Sequence, residues 1–166
     1  MDPVQVVIVL GNLALIVGIG VGLLQLRTLA RDRQEEMVLR VYAPFMDPEF
    51  ARAYWIVQTW RYVTWEEFDA GATVEERASL NAVRMLFETM GLLYHRRLAT
   101  LEFLDDLLSS ATLITWNRIA PMVYGYRAQK GAPDWSRWHE ALAVALDRRL
   151  TELGRPHPVL DRPAGS

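Results

Sequence analysis

Cysteine is absent from the 166 residues. Its absence excludes a disulfide framework, a thiolate metal site and a cysteine nucleophile. Lysine is almost absent as well: 17 of the 18 basic residues are arginine. Charge of either sign is sparse, at 23% of residues, and nearly balanced at a net −2. The chain therefore lacks the basic excess of a dedicated nucleic-acid binder. It contains no HExxH, no GxSxG and no P-loop. The three histidines, His95, His139 and His157, form no i, i+4 metal pair. Consecutive carboxylates such as Glu66-Glu67 and Asp105-Asp106 diverge on a helix surface rather than face one another. No enzyme activity, cofactor or metal is expected. What is present is hydrophobic residue, 51% of the chain, too much for general disorder.

Much of that is concentrated in one place. Val4 to Leu26 is an uncharged run of 23 residues. As a helix it is roughly 34 Å long, enough to cross a hydrocarbon core about 30 Å thick. A cleaved signal peptide would have a basic stretch before the run and a small-x-small site after it, and neither is seen. The expectation is a retained transmembrane helix within residues 1–28. Arg27, Arg31 and Arg33 follow the run and only Asp2 carries charge before it. The positive-inside rule then places a short N-terminus outside and the rest of the chain in the cytoplasm of a bacterial inner membrane.

Small residues in this run share one face. Gly11, Ala14, Gly18 and Gly22 fall within about 80° on a helical wheel, with Gln25 near its cytoplasmic end. Such a face lets a second helix backbone approach closely in lipid.

Beyond the run, residues 29–46 read as a stalk and linker that Pro44 interrupts. Residues 47–153 read as an all-α cytoplasmic bundle of about five or six helices, and 154–166 as a proline-rich tail. Asp47-Pro48 starts a helix to about Tyr62. Thr64 and Thr73, each followed three residues later by Glu, open two more with capping boxes. Leu80, Val83, Phe87, Met90 and Tyr94 repeat at alternating spacings of 3 and 4, the stripe of a helix on a core. A short helix is expected from Thr100 to about Leu108, and another from Ser110 with a kink at Pro121. The last is expected to be capped by Asp134, to turn Trp135, Trp138, Leu142, Leu146 and Leu150 inward, and to end at Gly154.

The stretch Phe87-Glu88-Thr89-Met90-Gly91-Leu92-Leu93, followed by Trp116 and Arg127, resembles a family of small bacterial proteins. These are built as one transmembrane helix plus a helical domain of unknown function. In that family a Phe-Glu-x-x-Gly-x-Leu helix precedes a Trp-containing helix with a later Arg. The resemblance covers roughly Asp47 to Leu150. It implies a fold and an anchor and brings no catalytic residues. Tyr94-His95-Arg96-Arg97 departs from the pattern by being more basic.

Glu88 borders the apolar stripe. The expectation is a structural ion pair with Arg84, Arg118 or Arg127, because a buried carboxylate needs a partner to be tolerated. Gly91 is expected at a close helix crossing. Nine of the 17 aromatics lie between Tyr42 and Phe68. Tyr42, Phe45, Trp55, Trp60 and Trp65 are candidates for a docking surface on lipid headgroups or a neighbouring protein, others of the group for core. Together these features lead to the expectation of a non-catalytic, single-pass accessory subunit. Its partners would be the bilayer and a larger inner-membrane complex, by analogy an energy-transducing one, respiratory or photosynthetic. The alternative is a membrane-tethered sensor or effector acting alone or as a homodimer.

Overall fold

A computed structural model describes residues 21, 22, 25 and 41–158. The chain divides into two units, Met1–Pro44 and Phe45–Ser166. In the first, Val21, Gly22, Gln25 and residues 41–44 are helical. Pro44, expected to interrupt this stretch, lies within helix, and Phe45 and Met46 are helical too. Nothing comes within 4 Å of where a Cβ on Gly22 would lie. Gly11, Ala14, Gly18 and the rest of the expected span lie outside the described residues. Among the described residues no helix is long and apolar enough to cross a membrane.

In the second unit, all described regular structure is helical. Helix α1 is Pro48–Thr59, α2 is Trp65–Gly71 and α3 is Val74–His95. Helix α4 is Leu101–Lys130 and α5 is Arg137–Glu152. The first three start as their local sequences require. Asp47 Oδ1 accepts the Glu49 N–H at 2.9 Å, with Pro48 in the first turn where its missing N–H costs nothing. Thr64 with Glu67, and Thr73 with Glu76, form complete capping boxes.

Two expectations are corrected. The break near Leu108–Ser110 does not occur, and α4 is one helix of 30 residues. Its buried positions, Leu104, Leu108, Thr112, Thr115, Ile119 and Met122, keep helical spacing straight through the two serines. Tertiary burial along a continuous face outweighs the modest preference of serine for a cap. Pro121 is also accommodated inside the helix. It is exposed, as is Asn117, whose carbonyl loses its partner on the wet side.

The second correction concerns α5. Asp134 is not its cap. Residues 132–135 form a turn, with the Trp135 N–H bonded to the Ala132 carbonyl at 3.1 Å. The helix starts two residues later, after Ser136, which has a left-handed φ of 62° and makes no side-chain cap. Trp135 therefore sits ahead of the helix, stacked on Tyr126 at 4.2 Å.

Helix α3 packs mainly on α1 and α5, and α4 closes the bundle against α5 and α2. Phe68, Phe87, Leu104, Ile119, Met122, Leu142 and Leu146 are fully enclosed. Each such side chain stabilises the fold by roughly 1.5–3 kcal/mol relative to exposure. Two glycines set the closest approaches. Gly91 on α3 faces the Trp138 backbone, and Gly125 on α4 faces the Trp65 side chain.

Candidate functional site

Several polar side chains close helix ends, where backbone groups are left without partners. Glu88, near the middle of α3, supplies the cap that Ser136 does not. Its Oε2 accepts the backbone N–H groups of Trp138 at 3.1 Å and His139 at 2.9 Å. A carboxylate at the positive end of a helix is doubly favoured, by hydrogen bonding and by the helix dipole. This corrects the expected arginine partner. Arg84 instead lies over the Trp135 ring, 4.8 Å from its centre, and donates to Asn81 Oδ1 at 2.9 Å.

Arg118 does the converse. It donates to the carbonyls of Val57 and Trp60, closing the negative end of α1 from the flank of α4. Arg127 pairs with Glu140 at 2.7 Å and donates from Nε to the Trp135 carbonyl at 2.8 Å. It thereby ties the turn before α5 to α4. Asp105 is enclosed and takes Arg149 at 2.9 Å and Arg155 at 3.1 Å. Those two contacts fasten the end of α5 and the segment beyond it to the start of α4.

His139, which the sequence shows only as forming no metal pair, shares the inner face of Leu142 and Leu146. It is completely buried. Its ring stacks on Phe87 at 4.9 Å and meets the edge of Trp116 at 5.1 Å. Nε2 lies 3.3 Å from the Thr112 carbonyl, so this nitrogen carries the proton. Burial, opposed by the Thr112 carbonyl and reinforced by the charge of Arg84, pulls its pKa from 6.5 to about 3.

The expected docking aromatics separate. Trp60 and Trp65 are buried: Trp60 packs on Phe68 at 5.1 Å, and Trp65 Nε1 donates to Gln129 at 2.7 Å. Phe45 joins Phe50, Tyr54 and Phe87 in an aromatic cluster. Tyr42 and Trp55 are exposed, Trp55 by 68%. Among the described residues no three His, Asp or Glu side chains converge as a metal ion would need. The arrangement is one of helix-end closure, with Trp55 presented outward.

Glu88→Ala should cost the domain about 2 kcal/mol, because two buried N–H groups then lose their acceptor. Glu88→Gln, which keeps an acceptor and loses the charge, should cost about half that. Urea denaturation of the three proteins checks this; an Ala variant as stable as the parent would show that the cap contributes nothing. Compared with protein-family models, with curated proteins and with solved structures, the chain matches none of them.

Proposed function

We propose that this chain is a non-catalytic accessory subunit, anchored by a single transmembrane helix at its N-terminus to a bacterial inner membrane, with its helical domain on the cytoplasmic side. The observation that carries this reading is the uncharged run from Val4 to Leu26 with Arg27, Arg31 and Arg33 directly behind it. The polar side chains of the domain add support. Glu88, Arg118, Arg127 and Asp105 are engaged in closing helix ends or fastening segments. The exposed Trp55 is the kind of side chain that anchors an interface. The glycine face through Gly18 would pack on a partner's membrane helix.

Mild-detergent extraction of native membranes, followed by sizing and mass spectrometry, tests the proposal. Stoichiometric co-migration with a large membrane complex is the expected result, and Gly18→Ile should release the chain from it. Migration at one or two times 19.0 kDa plus detergent would overturn the subunit reading in favour of a tethered sensor or effector. Recovery of the chain in the soluble fraction would overturn the anchor itself.

A further inference from the structure

Helix α3 is apolar on two opposite sides. Leu80, Val83, Phe87 and Met90 face the core. About half a turn away, Ala78, Ala82, Met85, Thr89 and Leu92 are all exposed, at spacings of 4, 3, 4 and 3. A surface helix ordinarily turns charge to water on that side. Here no charged residue occupies the seam over 15 positions, and Met85 is 54% exposed. Thr89 spends its hydroxyl on the Met85 carbonyl at 2.8 Å, which leaves no free donor on the seam. A 4-3 repeat is the spacing with which one helix meets another along its length.

We propose that a second copy of this chain covers this seam, with the two α3 helices antiparallel about a twofold axis at Met85. Two features of the seam choose the partner and the direction. The first is size. In the antiparallel register Leu92 lies opposite Ala78, while Met85 meets itself. Leu92 then faces an alanine at each end, Thr89 falls within one residue of Ala82, and the one large pair, Met85 on Met85, lies on the axis. A parallel pair would set alanine on alanine at one end and leucine on leucine at the other.

The second feature is charge. At the Ala78 end, Asp47, Glu49 and Glu75 line the same groove as Ala78 and Ala82, with only Arg52 among them, bonded to Glu75 at 2.7 Å. At the Leu92 end the helix runs into Arg96 and Arg97, both exposed. The antiparallel register brings the acidic end of one copy to the basic end of the other, twice. A parallel register would oppose like charges. A twofold interface must be complementary to itself, and this seam meets that condition.

The absence of native cysteine makes the test direct. The full chain, purified in detergent, carries Met85→Cys, Ala78→Cys or Leu92→Cys and is oxidised with a copper catalyst. Met85→Cys should shift most of the protein to a disulfide-linked dimer. Ala78→Cys alone should not, because its two copies lie roughly 21 Å apart across the axis. Leu92→Cys alone should behave likewise, whereas a mixture of those two variants should cross-link. No cross-link at Met85, or cross-linking of all three variants alone, would overturn the proposal. All three positions are exposed, so thermal melts should match the parent and exclude misfolding. The purified chain is free of other subunits, so this result stands or falls separately from the subunit reading.

Discussion

Gly91→Ala should destabilise the domain by about 3 kcal/mol or more, although alanine is the better helix former. In an open helix the exchange would gain roughly 1 kcal/mol. Here the new Cβ would lie 2.0 Å from the Trp138 carbonyl oxygen and 2.3 Å from its carbon. Both are backbone atoms, so no rotamer change relieves the clash. Helices α3 and α5 must separate instead. That movement would stretch the two hydrogen bonds from the α5 N-terminus to Glu88 and loosen the Phe87–His139 stack. A fall in melting temperature of roughly 10–20 °C should follow. Gly125→Ala meets the Trp65 Cβ at 2.3 Å and should show a comparable loss. A Gly91→Ala protein that melts with the parent would mean the helices do not cross at this distance.

The second large effect is a loss of stability in mild acid that traces to His139. The unfolded chain takes up a proton on this ring below about pH 6.5. The folded chain refuses it until about pH 3. Between those values the unfolded state binds more protons, so stability rises with pH there. The full contribution is present above pH 6.5 and is lost as pH falls toward 3. The loss is about 2 kcal/mol by pH 5 and roughly 5 kcal/mol at the lower limit. Urea midpoints measured from pH 7 to pH 5 check this against His139→Phe, which keeps a planar ring beside Phe87. The exposed His95 and His157 remain in both proteins. The parent should lose stability over this window and the variant should lose markedly less. Equal slopes in the two would show that the imidazole is not held neutral.

Several elements could be read directly from local sequence. Thr64 and Thr73 with their following glutamates, and Asp47 before Pro48, need only neighbours within one turn to close a helix end. The stripe from Leu80 to Met90 needs only the helical period. The start of α5 could not be read in this way, because its cap arrives from Glu88, some 50 positions earlier in the chain. The continuity of α4 was hidden for a related reason. Ser109 and Ser110 look like a boundary until the single face that buries both halves is seen.

The same division holds for the candidate functional residues. Glu88 was expected to pair with an arginine, yet it accepts two backbone N–H groups of α5, and Arg127 pairs with Glu140 instead. Trp60, Trp65 and Trp55 look alike in sequence, yet two are core and one is surface. His139 shows in sequence only that it forms no metal pair, and it is enclosed by aromatic rings. The sequence by itself determined the helical class, the caps of the first three helices, the inner face of α3, and the uncharged N-terminal run that underlies the proposed anchor. Each depends on residues within a few turns of one another. Tertiary structure alone decided which aromatics are inside, where α4 ends and α5 begins, and which groups close distant helix ends. Those outcomes are set by packing and desolvation between segments far apart in the chain, and no local pattern encodes them.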